Sequence, residues 1–256
     1  MKKTVAISLV LAVLSSRAST IESDNAAGAL RLESDMNYTT LPVPFRGFGG
    51  GARKVGNLVD AASLEKGDTM VLLDGETYRA VKYDGAEWKG FYTAVEGETE
   101  LSLGDPGADA PEHGRGFWLN RTNNLARAVY MTGEAPSSYA ATTVSEARML
   151  LANPKGVAFR FFDDGRIAGA AEGDAIVVQK KDGEEARYTF MDGAWMRAEY
   201  QHVSITLPLA GGGSKTINST KLVFTPVTEA AFAVPAGRGF WYMRSDMEGD
   251  APVVNW

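Results

Sequence analysis

Chemistry has few places to reside in this 256-residue chain, which holds two histidines, His113 and His202, and no cysteine. A cysteine nucleophile is excluded, and so are disulfides. The His-Glu-x-x-His metal site and the Gly-x-Ser-x-Gly nucleophile turn are both missing from the sequence. Carboxylates remain. Glycoside hydrolysis needs two of them, roughly 5–9 Å apart, and Asp68, Asp84, Asp174 and Asp192 are the candidates. Each adjoins a glycine, and an Asp that bonds its own backbone explains such turns without catalysis. His113 follows Glu112 and reads as part of a solvated surface pair. Asp163-Asp164-Gly165 opens like a calcium loop, but the spaced ligands do not continue. Gly211-Gly212-Gly213-Ser214-Lys215-Thr216 echoes a phosphate loop, with Ser214 where a glycine must precede the lysine. Gly47 to Gly51 is glycine-rich, but no Gly-Lys-Ser/Thr follows it. Both read as loops. The expectation is an absence of catalytic residues, metal and cofactor.

Tryptophan offers a second kind of chemistry, because an aromatic face suits the apolar face of a sugar ring. Trp88 and Trp195 each follow an Asp-Gly turn, and Trp118 and Trp241 each end a Gly-Arg-Gly-Phe-Trp string. All four are candidates for ligand stacking. Trp118 and Trp241 follow Phe in an apolar strand and are expected in the core, since Trp buries a large area. Trp88 and Trp195, next to turns, are the better platform candidates. Arg115 and Arg238, each between glycines, are read as structural.

These residues recur in a fixed order, which sets the architecture. Gly67-Asp68-Thr69-Met70-Val71 and Gly173-Asp174-Ala175-Ile176-Val177 open two blocks. Asp84-Gly85-Ala86-Glu87-Trp88 and Asp192-Gly193-Ala194-Trp195 lie in the middle. Gly114-Arg115-Gly116-Phe117-Trp118 and Gly237-Arg238-Gly239-Phe240-Trp241 close them. The fold class expected is all-β: two tandem repeats, each a small antiparallel β-sandwich or open barrel with at most one short helix. The domains are residues 19–136 and 148–256, joined by a linker at 137–147. Asp74-Gly75, Asp84-Gly85, Asp182-Gly183 and Asp192-Gly193 suit tight hairpins. They predict a meander over residues 69–73, 78–83 and 88–92, and a second over 175–180, 186–190 and 195–200. Residues 29–32 and 38–45 read as strands, the latter ended by Pro42 and Pro44. Residues 117–120 and 128–132 should close the first sheet. Apolar residues at 55, 58, 59 and 62 have helical spacing, so one short helix is expected over 55–64. Residues 149–154 have helix-forming composition, yet the repeat aligns them with Leu41-Pro42-Val43-Pro44, so a strand is expected. The second copy is longer within residues 203–227, which reads as an extra hairpin around Gly211–Ser214. The final strand, ending in Trp256, should tuck into a neighbouring sheet; its strands are too short for an outer-membrane barrel.

The beginning of the chain reads as an export signal. Lys2 and Lys3 precede an apolar run to Leu14, and Ser16-Arg17-Ala18 supplies small residues for cleavage after Ala18. That run is too short to span a bilayer, so residues 1–18 are taken as a signal peptide. Cleavage would remove three positive charges and no negative one, taking the net charge from −6 to −9. Nucleic acid and anionic membranes are poor partners for such a chain. With 45% hydrophobic residues it can build real cores.

The string Leu151-Ala152-Asn153-Pro154, Gly-x-Gly-Phe-Trp in both copies, and Ile21-Glu22-Ser23 after the signal resemble a repeat of uncharacterised exported proteins of planctomycete and verrucomicrobial bacteria. The resemblance covers nearly the whole mature chain. It implies an exported β-repeat protein and brings no catalytic residues with it. In such a bacterial setting the glycosylation patterns at Asn37, Asn120 and Asn218 are chance matches. The function expected is non-enzymatic: a structural, adhesive or assembly role in the periplasm, at the cell surface or outside the cell. Its partners would be further copies of itself or a surface polysaccharide. Carbohydrate binding through exposed tryptophans is the alternative, and a glycoside-active enzyme the weaker one.

Overall fold

The computed structural model describes residues 27–34, 38–49, 51–75, 77–93, 102–122, 127–179, 185–208 and 212–256. The signal segment and the Asp182-Gly183 turn lie outside these residues. The first unit contributes β1 (Ala27–Ser34), β2 (Tyr38–Pro42), β3 (Thr69–Asp74), β4 (Thr77–Tyr83), β5 (Trp88–Thr93), β6 (Ser102–Leu103), β7 (Gly116–Asn120) and β8 (Arg127–Glu134). The second contributes β9 (Thr142–Thr143), β10 (Arg148–Ala152), β11 (Ile167–Ala168), β12 (Ala175–Gln179), β13 (Glu185–Met191), β14 (Ala194–Pro208), β15 (Ser214–Pro226), β16 (Gly239–Met243) and β17 (Val253–Val254). The protein is all-β and almost wholly antiparallel, and its sheets remain open.

The two six-stranded sheets share one plan. Their orders are β2-β7-β3-β4-β5-β6 and β10-β16-β12-β13-β14-β15. The registers match residue for residue: Thr40 and Val71 flank Trp118, as Leu150 and Val177 flank Trp241. Each sheet covers its own core. Met70, Leu72, Phe117 and Leu119 point into one; Ile176, Val178, Phe240 and Tyr242 point into the other. This is the period-two alternation of a half-buried strand. A β1–β8 ribbon accompanies the first sheet, and a smaller β11-β17-β9 sheet accompanies the second. Trp256 follows β17 and is buried against Phe159 and Phe240.

Three expectations are corrected. The Gly-Phe-Trp strands do not close their sheets; they lie one strand in from an edge, with neighbours on both sides. Phe117, Leu119, Phe240 and Tyr242 are fully buried there, so the most apolar strand takes the most enclosed place. β8 pairs with β1 in its own ribbon instead of joining that sheet. No helix forms over residues 55–64, where only two short 3-10 turns occur, Val55–Asn57 and Ala61–Ser63. The N–H groups of Val55, Gly56 and Asp60 donate to Ala108, Pro106 and Tyr130, and the Asn57 carbonyl accepts the buried Arg53 guanidinium at 2.9 Å. The Asp60 N–H and the Asn57 carbonyl are groups that a helix would use, and their bonds to Tyr130 and Arg53 outweigh the spacing of Val55, Leu58 and Val59. The extra hairpin is likewise not a separate element. β14 and β15 run on without interruption into one arm of 15 and 13 residues. The strand expected over residues 149–154 is present as β10.

Candidate functional site

The four aspartates separate into two pairs. Asp84 and Asp192 sit at exposed hairpin turns. Asp84 Oδ1 accepts the N–H groups of Ala86 and Glu87 at 2.9 Å each. The Glu87 bond foremost, then that of Ala86, holds its carboxyl below its ordinary value. Asp192 has φ 52° and Gly193 φ 75°, the left-handed backbone of a primed two-residue turn.

Asp68 and Asp174 are buried, and every carboxylate oxygen is engaged. Asp68 Oδ2 accepts the Glu65 N–H and Arg121 Nη1, both at 2.9 Å. Its Oδ1 accepts the Thr122 N–H at 3.0 Å and the Thr122 hydroxyl at 3.3 Å. Asp174 Oδ2 accepts the Ala171 N–H at 3.0 Å and the Tyr242 hydroxyl at 2.8 Å. Its Oδ1 accepts the Ser245 N–H at 2.8 Å and the Ser245 hydroxyl at 3.1 Å. Burial, with the Asp174 hydrogen bond and charge behind it, raises the Tyr242 pKa well above that of an ordinary tyrosine. Tyr242 is thus a neutral donor. Each aspartate pins the start of β3 or β12 to the end of β7 or β16, and neither has a lone pair turned to solvent. The sequence carried a signal for these partners: Arg121-Thr122 and Arg244-Ser245 follow the Gly-Phe-Trp strand in both copies.

His113 is not a solvated surface residue. It is half-buried, its Nδ1 lies 2.6 Å from the Val43 carbonyl, and its ring meets Tyr139 edge-on at 5.6 Å. Burial foremost lowers its pKa; nearby Arg46 and Arg53 act the same way, against the Val43 bond and Glu112. His202 lies far off on the arm. Asp163 pairs with Arg160 at 3.2 Å in a turn closed by Gly165 (φ 73°). Among the described residues no three His, Asp or Glu side chains gather closely enough to hold a metal. Gly212 and Gly213, both at positive φ, lie at the arm's tip.

The four tryptophans divide into two pairs. Trp88 and Trp195 are 7% and 6% exposed and pack against Tyr83 and Phe190, so neither presents a stacking face. Trp118 and Trp241 are half-buried on the opposite faces of their sheets, with ring centroids 5.5 Å apart. Trp118 also meets Tyr78, and the Arg148 guanidinium lies 4.8 Å above the Trp241 ring while bonding the Tyr78 hydroxyl. Beside them opens a cleft of about 260 Å³, lined by Thr40, Leu150, Val177, Gln179, Glu185 and the two indoles among others. Among the described residues its lining holds one carboxylate, Glu185, where glycoside hydrolysis needs two.

This contact belongs to a joint built from both Gly-Arg-Gly-Phe-Trp strings. Gly114 abuts Thr142 and Trp256 of the second unit, and Gly237 abuts Leu32 of the first. The Ala152 N–H donates to Gly114 O, and the Asn153 N–H donates to Arg238 O. Arg115 pairs with Glu146 at 2.9 Å. A Cβ on Gly239 would stand 2.0 Å from Thr40 Cγ2. The glycines exist for this close approach, a purpose that turn chemistry alone did not reveal. Residues 137–147 cross the joint, with β9 and the buried Tyr139 and Val144; the Tyr139 hydroxyl donates to Pro44 O at 3.2 Å.

The second surface feature is the arm. From Tyr200 onward both strands are exposed, with Tyr200, Leu222 and Phe224 on one face and Val203, Ile205, Leu207 and Ile217 on the other. No family model, curated protein or solved structure matches the chain. Among the described residues no helix is long and apolar enough to cross a membrane.

Proposed function

We propose that the chain is an exported, non-enzymatic protein of the cell envelope or surface, with a structural, adhesive or assembly role. The observation that carries this reading is the β14–β15 arm, which holds apolar side chains in solvent on both faces. Contiguous exposed apolar surface marks a contact with another macromolecule, and a lone hairpin gains little stability until something covers it. The saturated carboxylates of Asp68 and Asp174 fit a scaffold role. The signal-like first 18 residues and the resemblance to exported β-repeat proteins support export. The test is to express the full chain in a bacterium with an outer membrane, fractionate the cells, and size the processed protein by light scattering and negative-stain microscopy. The expected result is processed protein outside the cytoplasm, in particles larger than a monomer. Unprocessed cytoplasmic protein, or a monomer at every concentration, would overturn the reading.

A second reading, carbohydrate binding, is favoured by the cleft beside Trp118 and Trp241, because these two indoles keep exposed surface and Gln179 and Glu185 supply polar groups at its edge. A glycan array read against Trp118→Ala and Trp241→Ala tests it. Binding that survives both substitutions, or no binding at all, removes the cleft from consideration.

A further inference from the structure

We propose that copies of this chain join head to tail, the outer edge of β15 in one copy pairing with the outer edge of β5 in the next. This rests on the assembly role above and names its partner.

The two units differ at one edge. In the second unit β15 covers β14 along its whole length, from Met196↔Pro226 to Pro208↔Ser214. In the first unit the equivalent strand is β5, and among the described residues no long strand covers it. β6 does not supply that cover. Leu103 pairs with Ala80 of β4 on one side and with Tyr92 of β5 on the other, and the Gly104 N–H donates to Ala80 O at 3.0 Å. β6 therefore lies in the fork where β5 leaves β4. Among the described residues no strand pairs with the far edge of β5, and none with the far edge of β15. Each molecule thus ends in two different open edges, one on each unit.

Open edges are templates for another strand, and proteins ordinarily blunt them with shortness, charge or proline. β15 is 13 residues long and carries proline only as its last residue. Ile217, Leu222 and Phe224 stand exposed along it, and Phe91 stands exposed on the receiving strand. Charge favours arm on body over arm on arm. Residues 200–226 contain Lys215 and Lys221 and no Asp or Glu, so of the net −6 they hold +2 and leave −8 on the rest. Two arms laid together would gather four lysines, whereas the body that an arm would meet carries a net negative charge overall, with Lys89 at the receiving edge paired to Glu87. Because the two edges are unlike, the contact is heterologous and continues from copy to copy. It adds strands to a sheet, a common mode of recognition.

The absence of cysteine makes the test direct. Lys89→Cys on β5 is mixed with Ser219→Cys or Thr220→Cys on β15, one for each face, and joined with a short bismaleimide whose reach tolerates a shift in register. Circular dichroism checks that each variant folds. The expected result is a mixed Lys89–Ser219 or Lys89–Thr220 product, absent when Val157→Cys replaces the arm cysteine. Lys215→Glu with Lys221→Glu should move most of the protein from particles to monomer. Particles without the mixed product would overturn this contact and leave the assembly role standing. A product joining arm to arm alone would also overturn it. A monomer throughout would overturn both.

Discussion

Asp68 and Asp174 occupy the same place in two sheets of the same order, yet their charges are met differently. Asp68 has a buried cation, Arg121. Asp174 has a neutral phenol, Tyr242, where the first unit has Leu119, and it keeps the matching backbone and hydroxyl donors. Arg244 corresponds to Arg121 but turns away, bonding Gly249 O at 2.9 Å. The comparison teaches that the structural requirement is four donors around the carboxylate, with a counter-charge as one way to provide the last. A buried ion pair is no more valuable than a well-placed neutral donor until one partner is removed.

That asymmetry can be broken one side at a time. Arg121→Met should cost about 3–5 kcal/mol, because it strands a buried carboxylate. Arg244→Met, at the matching site, should cost about 1 kcal/mol, the worth of an ordinary backbone bond. Urea titrations of both variants give the contrast, and equal losses would mean that Asp68 does not depend on its cation. Tyr242→Phe should cost about 1.5–3 kcal/mol by removing a hydrogen bond to a charged group, while Tyr83→Phe, outside that network, should change little in the same titration.

The joint allows a second comparison. Gly239→Ala drives a Cβ to 2.0 Å from Thr40 Cγ2, whereas Gly116→Ala meets its nearest neighbour, Leu150 Cγ, at 3.1 Å. The first should cost about 1–3 kcal/mol by overpacking and the second less. Thr40→Ser removes the clashing methyl and should restore much of the Gly239→Ala loss, as read by thermal melts. No rescue would place the strain elsewhere.

The smallest effect expected is on pH. His113 has a lowered folded pKa, so the unfolded chain binds the proton more readily. Stability is then complete above the ordinary histidine value of 6.5 and falls as pH drops through it. His113→Gln should flatten that part of the curve between pH 7.5 and 5.5. A curve unchanged by the substitution would assign the slope to other groups.

Much of each sheet was legible because its signals are local. Asp-Gly turns at 74–75, 84–85 and 192–193 carry their own backbone preference, and β-branched or aromatic runs flank them, so the meander strands fall within a residue or two of the reading, except that β14 runs on to Pro208. The repeat overrode helix propensity at residues 149–154, correctly. What could not be read depends on partners distant in the chain. β7 lies inside the sheet, between β2 and β3, because β2 reaches back to it, and periodicity does not report order. The stretch 55–64 lost its helix to the Tyr130 carbonyl and the Arg53 guanidinium. Trp118 and Trp241 follow Phe as core residues do, but the second unit supplies their neighbours. Trp88 and Trp195 stand beside turns in the sequence, and pairing opposite Tyr83 and Phe190 is what sets them against the core.

The position of β7 between β2 and β3 also bears on the order of folding. β3, β4 and β5 can zip together as soon as they exist, each pairing with its chain neighbour. β2 cannot. Among the described residues its one neighbour in the sheet is β7, which lies beyond the whole meander in the chain, and β16 repeats the arrangement for β10. Such non-local closure is slow, and until it happens the chain shows unpaired apolar edges. A chain of this design would refold in stages: fast hairpin signals first, then slow burial of Trp118 and Trp241 as the last inner strand slides home.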